Sequence, residues 1–334
     1  MKRQLFLPTV AEFSKDIATS MALQQPLVDI GYTPGLCIVM RGGMKAVTDP
    51  EIIAKQQQNL VAEVGDTYEA ADVITMLSNI PIGEIDFLHN TKQAVDHVKA
   101  GIDFARALPI GGERYVTFHL NTLVRKGVKD MIDLPSWRGI FRTNVAPALQ
   151  EIARYARNQG VRVNVETTPA PEFGDIPRSK ELSYLGVHAS DLRNPFLLTE
   201  ANGGFGAIRA QGLGICLDLC HNRTLYDLAA QGDEENVLGE ERTYFEKGSL
   251  ATDVSALEPG DLAHVNDGKG TYAERDGTLF EEGVALGQGD IEGLDTHLQN
   301  ILAAEIPFVV EINETDFATR PNTRASIDYL ARLG

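Results

Sequence analysis

Short apolar runs that end in a polar residue recur along the second two-thirds of the chain. Five of these runs are rich in β-branched and aromatic residues, which predicts β-strands. The predicted strands are 115–119, 161–166, 213–218, 261–264 and 308–311. Near-continuous apolar stretches within them, such as GICL and FVV, are typical of parallel strands that helices cover on both faces.

Helical patterns fill the intervals between these runs. After Thr143 and Asn144, both able to cap a helix, apolar residues recur at helical spacing until Gly160 ends the pattern. Similar patterns predict helices at 91–108, 294–304 and 321–330. Strands and helices therefore alternate, which indicates an α/β fold.

The polar residues that close the five runs stand at nearly regular spacing. They are residues 119, 166, 218, 264 and 311, with separations of 47, 52, 46 and 47. Dividing the 334 residues by eight gives about 42 per unit, the size expected for a (β/α)8 TIM barrel with elaborated loops at its C-terminal face. We therefore predict one domain spanning 1–334.

Three earlier strands complete the predicted barrel, at 4–7, 36–40 and 84–88. Two stretches exceed ordinary loop length, 168–198 and 231–258, and we expect both to lie on the catalytic face.

Composition narrows the class of protein. Apolar residues make up 43% of the chain, enough for a large core. The 47 acidic residues exceed the 30 basic ones by 17, which disfavours binding to nucleic acid. Three cysteines without a CxxC spacing fit a reducing compartment, and we find neither a secretory h-region nor an apolar stretch long enough for a membrane span. We predict a soluble, cytoplasmic protein without a membrane partner.

Side chains at the C-terminal ends of barrel strands converge on one pocket, which here brings acids and imidazoles together. Carboxylates crowded in this way raise one another's pKa unless a cation holds them ionised. We therefore predict a site for one divalent metal ion, with manganese favoured over magnesium, cobalt or zinc. Its predicted ligands are Glu166, Asp218, His264 and Glu311. Each acid alone could equally be a cap or a salt-bridge partner, and their joint placement favours function.

Five segments in order carry a family resemblance: VNVETTP (163–169), LDLCH (217–221), HVNDGKG (264–270), LGQGDI (286–291) and VVEINE (309–314). From residue 115 to 311 the chain resembles the xylose-isomerase-like barrel superfamily, and the ketose 3-epimerases are its closest chemical match. The resemblance implies that Glu166 and Glu311 act as catalytic bases as well as metal ligands. It also implies that Glu172 and His221 contact substrate hydroxyls, and that the protein forms homo-oligomers, as family members often do.

Three further features have two interpretations. His119 and Lys269 are predicted to bind substrate, although His119 could be a hydrogen-bonded residue at the barrel mouth and Lys269 could belong to the rim. His221 could instead cap a helix. The LGQGDI segment is predicted to form a structural turn rather than a phosphate cradle.

The predicted function is a sugar isomerase or epimerase that moves a proton at the carbon next to a carbonyl, through a metal-stabilised enediolate. A related dehydration of a sugar or inosose is an alternative. A second alternative is a phosphodiester hydrolase resembling the apurinic/apyrimidinic endonucleases, whose HLND-like segment is close to HVND here. Those enzymes need an Asp-x-His pair where this chain has Glu281, Glu282 and Gly283, so the imidazole is missing. A third is a sugar-binding barrel without catalysis.

Overall fold

Eight parallel strands close into a barrel. The structure is a computed structural model that describes residues 3–65, 71–79, 84–87, 90–120, 141–167, 203–230, 248–270 and 281–333. The barrel strands are β1 Arg3–Thr9, β2 Tyr32–Val39, β3 Asp72–Met76, β4 Arg114–Phe118, β5 Arg162–Glu166, β6 Gly214–Asp218, β7 Leu262–Val265 and β10 Phe308–Val310. Neighbours in sequence are neighbours in the barrel, and β10 closes it between β7 and β1. Strands β8 Asp267–Lys269 and β9 Glu281–Val284 form a separate antiparallel hairpin. The predicted (β/α)8 fold is confirmed.

Helices alternate with the barrel strands, as predicted. They are α1 Ser14–Leu23, α2 Gln25–Val28, α3 Lys45–Thr48, α4 Pro50–Val64, α5 Thr91–Ala107, α6 Ala146–Gln159, α7 Gly203–Arg209, α8 Leu219–Ala230, α9 Leu250–Ser255, α10 Leu294–Ala303 and α11 Pro321–Leu333. Asn90 caps α5 through the backbone N–H of Gln93, and Gly160 ends α6 in the left-handed conformation. Among the described residues, no helix is both long enough and apolar enough to cross a bilayer.

Alternation along the strands divides the apolar residues between two layers. A small cluster fills the barrel interior, where the Phe6 ring on β1 meets the Tyr115 ring on β4 edge to face at 5.9 Å. The larger cluster packs the outer faces of the strands against the helices. The interior cluster consists of Phe6, Cys37, Ile74, Met76, Tyr115, Cys216, Leu262 and Val309.

Polar side chains close the barrel floor beneath this cluster. The Gln4 amide donates to Asp72 Oδ2 at 2.7 Å, and the Tyr115 hydroxyl donates to Glu113 Oε2 at 2.5 Å, with Gln4 Oε1 3.2 Å from the same hydroxyl oxygen. These residues lie at the N-terminal ends of the strands, and their polar groups find hydrogen-bond partners among one another. The acids and imidazoles lie at the opposite end of the barrel.

The third predicted strand was wrong. Residues 84–87 are irregular, residue 88 lies outside the described residues, and the third barrel strand is β3, Asp72–Met76. Ile85 and Phe87 are buried, and the Phe87 ring packs 5.8 Å from that of Phe118. The alternating apolar pattern of this segment therefore reflects side-chain packing over the barrel rather than sheet pairing.

Gly35 is the point where β2 passes closest to an interior aromatic ring. A Cβ added there would stand 2.4 Å from Phe6 Cδ1 and 2.9 Å from the Leu5 carbonyl oxygen. We expect Gly35→Ala to lower the free energy of unfolding by about 1–3 kcal/mol, because the overpacked Phe6 ring must move within a filled interior. Denaturant unfolding measures this loss.

Phe6→Leu provides the matched background, since it shortens the side chain that the new methyl would strike. The cost of Gly35→Ala should be smaller there than in the wild type. An equal cost in both backgrounds would show that the Phe6 ring is not the obstacle.

Candidate metal and substrate site

The reactive side chains stand where successive strands reach the open end of the barrel. Glu166 and Asp218 are the last residues of β5 and β6, and His264 is the third residue of β7. His119 and Glu311 directly follow β4 and β10. Alternate residues of a strand point to the same face of the sheet. Each of these five side chains stands two residues after one that points into the barrel, so all five point toward the barrel axis. The convergence expected from the sequence is therefore present.

The imidazole of His264 lies among three carboxylates. Its Nδ1 atom is 2.6 Å from Glu311 Oε2, 3.1 Å from Glu166 Oε1 and 3.8 Å from Asp218 Oδ2. One ligand atom from each of these four residues lies within 4.8 Å of all the others. His264, Glu166 and Asp218 are buried, and Glu311 retains 27% of its side-chain exposure.

Several polar atoms in this cluster have no hydrogen-bond partner among the described residues. They include the Nε2 atom of His264 and the Oε2 atom of Glu166, both of them buried. Buried polar atoms of this kind are normally satisfied, and a coordinated cation would satisfy these. Three carboxylates and one imidazole form a donor set that fits a divalent cation such as Mn²⁺, Mg²⁺, Co²⁺ or Zn²⁺.

The charges in the cluster are strongly coupled. Burial alone would raise the pKa of Glu166, but the nearby imidazoles of His264 and His119 outweigh burial and hold the pKa well below its ordinary value. Burial would lower the pKa of His264, whereas the neighbouring carboxylates of Glu166 and Glu311 raise it well above the usual range. Burial raises the pKa of Asp218 to about 6, with the charge of His221 opposing the rise. Without a cation, a protonated imidazole therefore balances the carboxylates.

Cys216 lies below this cluster and is also within reach of Glu166 and His264. Burial raises the pKa of its thiol to about 12. A thiol that stays protonated at neutral pH is a poor metal ligand. The oxygen-rich set that includes Asp218 and Glu311 is therefore the better candidate.

The carboxylate of Asp218 is held in place by two donors. Its Oδ1 accepts from the backbone N–H of His221 at 2.8 Å, and its Oδ2 accepts from the amide of Asn266 at 2.8 Å. The hydroxyl of Thr167 accepts from the backbone N–H of Asp218 at 2.9 Å. Such contacts orient a ligand before a metal arrives.

Two more imidazoles line the site above Glu166. His119 Nε2 is 3.4 Å from Glu166 Oε1, and neither ring nitrogen of His119 has a hydrogen-bond partner among the described residues. His221 is buried, with Nδ1 at 2.6 Å from the Thr167 carbonyl oxygen and Nε2 at 2.7 Å from Glu282 Oε1. The two rings lie 6.0 Å apart. His221 therefore faces the pocket rather than the surface.

The LGQGDI segment is a structural turn, as predicted. The buried carboxylate of Asp267 accepts hydrogen bonds from the backbone N–H groups of Gly287, Gly289 and Ile291, at 2.8–3.2 Å. It also accepts from the N–H of Gly268 at 2.9 Å. The chain's own carboxylate thus occupies the amides that a phosphate would need.

The remaining predicted site residues lie elsewhere. Lys269 is exposed on β8 and pairs in register with Glu281, so its role in binding substrate stays a prediction. Glu172 lies outside the described residues, as do 168–198 and most of the second long loop.

Sequence reasoning missed the supporting contacts of Thr167, Asn266 and Glu282. Asn266 stands two residues after His264, so continuing the alternation of β7 by one step would have pointed to it. The only sequence pattern that includes Glu282 is the incomplete endonuclease motif at 281–283. No local sequence signal places its carboxylate on His221.

Comparisons with known proteins agree with this architecture. A family model described as "Xylose isomerase-like TIM barrel" matches residues 43–333. No curated protein sequence matches the chain.

Similar solved structures cover nearly the whole chain at low identity. A D-tagatose 3-epimerase-like protein is 16% identical, with a TM-score of 0.51, covering 100% of this chain and 97% of that one. A xylose isomerase domain protein from Planctomyces limnophilus is 14% identical, with a TM-score of 0.53 and coverages of 98% and 95%. A D-psicose 3-epimerase from Clostridium cellulolyticum H10, solved with D-tagatose, is 12% identical, with a TM-score of 0.52 and coverages of 100% and 99%. These likenesses show a common fold.

Cation binding at this cluster should weaken as the pH falls, because protons and the cation compete for the same atoms. Because the pKa of His264 is raised, the imidazole is protonated at neutral pH, and cation binding displaces that proton. Below pH 6, Asp218 is also protonated, because its pKa is about 6, so cation binding displaces a second proton there. Calorimetry in buffers of different ionisation enthalpy should give about one proton released per cation near pH 7 and about two near pH 5.

Asp218→Asn is the control for the second proton. We expect it to bind the cation more weakly and to release about one proton at both pH values, since the amide cannot titrate there. An affinity that does not change with pH in the wild type would contradict this assignment.

Proposed function

Because the chain belongs to the xylose isomerase-like TIM-barrel family, we propose that it is a divalent-metal-dependent isomerase or epimerase of a small sugar or polyol. One observation carries the proposal. Four side chains from four strands bring ligand atoms within 4.8 Å of one another at the open end of the barrel. The similar structures include sugar epimerases, which makes free ketoses the first substrates to test.

Glu166, Asp218, His264 and Glu311 would hold the cation. The unpartnered Nε2 atom of His264 and the second oxygen of Glu166 support this assignment, and the oxygen-rich donor set favours manganese. When bound, the cation supplies Lewis-acid stabilisation of negative charge on the carbonyl and neighbouring hydroxyl oxygens of a sugar.

Glu166 and Glu311 are the proposed proton carriers. Glu166 ends strand β5 and Glu311 follows strand β10, and β6 and β7 lie between these two strands in the barrel wall, so the two carboxylates reach the pocket from different strands. One of the two, as the carboxylate, would remove the proton from the carbon next to the carbonyl, leaving an enediolate, and the other, as the carboxylic acid, would give a proton to the opposite face. Return to the opposite face of the same carbon gives epimerisation, and return to the adjacent carbon gives isomerisation.

His119 is proposed to hydrogen-bond a substrate oxygen, and His221 is proposed to do so when a substrate oxygen replaces Glu282 at its Nε2 atom. Both imidazoles are buried beside Glu166, and the ring nitrogens of His119 have no partner among the described residues. Glu172 and Lys269 complete the proposed substrate contacts. Aligning substrate in this way lowers the entropic cost of the proton transfer.

Phosphodiester hydrolysis is the weaker candidate. Gly283 stands where the endonuclease pattern needs an imidazole, and its φ of 68° is unfavourable for any other residue. A Cβ there would also stand 2.9 Å from the side-chain nitrogen of Asn313. The acidic excess of 17 opposes binding of a polyanion, so we propose no nucleic-acid partner.

The proposal predicts solvent-deuterium incorporation into a ketose by the Mn²⁺-loaded protein. Glu166→Gln and Glu311→Gln should each reduce incorporation by at least about 100-fold, because an amide cannot take up or return the proton. NMR or mass spectrometry of the sugar measures the exchange.

Glu292→Gln is the matched control, because Glu292 is exposed and lies outside the cluster. It should exchange at the wild-type rate. Unchanged exchange in Glu166→Gln or Glu311→Gln would remove that residue from its proposed role. Failure of the wild type on all ketoses, aldoses and inososes tested, with metal bound, would refute the proposed function.

A further inference from the structure

The segment that follows the seventh barrel strand carries anion-binding groups that the proposed proton transfer does not use. Its described parts are 266–270 and 281–291. In TIM barrels, the loops after the seventh and eighth strands frequently bind a substrate phosphate. We propose that Asp267 occupies a pre-formed anion site in this segment and thereby selects sugars that carry no phosphate group. This inference rests on the proposed function, in which the substrate is a sugar or polyol.

Four backbone N–H groups surround the carboxylate of Asp267. Its Oδ1 accepts from Gly268 at 2.9 Å and Ile291 at 3.2 Å, and its Oδ2 accepts from Gly289 at 2.8 Å and Gly287 at 3.1 Å. Asp267 is only 1% exposed. Amides that point at one centre form a concave site for an anion, as they do around phosphate groups. The turn therefore has the geometry of an anion site, and its anion is a carboxylate of the same chain.

The glycines of this turn allow the backbone to come so close to a charged group. A Cβ on Gly289 would stand 2.3 Å from Asp267 Oδ1 and 2.3 Å from the Gly268 carbonyl oxygen. A larger residue at 289 would therefore push the amides away from the anion. Glycine-rich loops approach phosphates by the same absence of side chains.

An arginine stands beside these amides. Arg223 on α8 keeps 13% of its side-chain exposure and pairs with the carboxylate of Asp290. Its Nη1 atom also donates to the Gly268 carbonyl oxygen at 3.2 Å. The Oδ2 atom of Asp290 accepts from the backbone N–H of Gly270 at 3.0 Å. Arginine and backbone amides are common donors to phosphate, and here both have carboxylate partners from the chain itself.

This anion site adjoins the proposed metal site. Asn266, the residue before Asp267, donates to Asp218 Oδ2 at 2.8 Å, and helix α8 with Arg223 begins directly after Asp218. The side chain of Asp290 is 50% exposed, so solutes can reach this side of the turn. A sugar phosphate extending toward it would meet two carboxylates, whose negative charge repels it. The segment therefore favours a substrate with an uncharged end.

The first experiment asks whether the turn binds a free anion once its own carboxylate is removed. Asp267→Ala should lower the melting temperature, because four amides lose their acceptor. Inorganic phosphate, at about 20 times its dissociation constant and constant ionic strength, should then raise the melting temperature by about 2–4 °C in a saturable way. The wild type should show only the non-saturable rise that phosphate gives to proteins in general.

Glu292→Ala is the matched control, because it removes one negative charge from an exposed position just after the same turn. It should respond to phosphate as the wild type does. An equal response in Asp267→Ala would overturn the proposal. If Asp267→Ala does not fold alone, refolding replaces melting as the measurement. Recovery of folded protein with phosphate but not with sodium chloride then supports the proposal, and no recovery with either overturns it.

The second experiment compares a ketose with the same ketose carrying a terminal phosphate, by deuterium exchange in the Mn²⁺-loaded proteins. In the wild type, kcat/KM for the free ketose should exceed that for the phosphate at least about 100-fold. Asp267→Asn keeps the size of the side chain and removes its charge, so it should narrow this ratio by about 3- to 10-fold. Glu292→Gln should leave the ratio unchanged.

A wild type that prefers the ketose phosphate would overturn the proposal, and so would an Asp267→Asn variant that keeps the full wild-type ratio. If the wild type exchanges neither sugar, the proposed function fails separately. The phosphate titration of Asp267→Ala then decides alone whether Asp267 occupies an anion site: a saturable response supports it, and a response equal to that of Glu292→Ala refutes it.

Discussion

Burying several carboxylates at the mouth of one barrel is the constraint on which this molecule depends. Desolvation and mutual repulsion both oppose such an arrangement unless positive charge lies among the oxygens. His264 provides that charge, with its Nδ1 between Glu166 and Glu311. A cation bound there would also stabilise the ionised carboxylates. The imidazole proton and the cation would therefore be alternative sources of positive charge at the same place.

The barrel fixes this cluster through backbone geometry rather than through loops. Parallel strands in a closed sheet place equivalent positions in layers, and alternate residues of each strand point inward. The layer that carries acids and imidazoles on β5, β6 and β7 carries Met76 on β3, next to the apolar interior. Reactive groups are therefore concentrated on one side of the barrel mouth, while the polar floor around Gln4 and Asp72 closes the other end.

Sequence patterns predicted the secondary structure correctly where apolar residues repeat at the spacing of a strand or a helix. Strand alternation and regular spacing identified the strand ends at Glu166 and Asp218, because both follow directly from repeating βα units. The same reasoning misplaced the third strand, since Ile85 and Phe87 are buried by tertiary packing yet belong to an irregular segment. An alternating pattern of apolar residues indicates that one face of a segment is buried. A segment can bury one face without pairing in a sheet.

The contacts that orient the site were beyond local reasoning for a related cause. The bond between His221 and Glu282 joins residues 61 apart, and that between Asn266 and Asp218 joins residues 48 apart. Each depends on where a hairpin or strand end comes to lie once the barrel has closed. The proposed metal ligands thus lie at the ends of barrel strands, whereas Glu282, which contacts His221, lies on the hairpin strand β9.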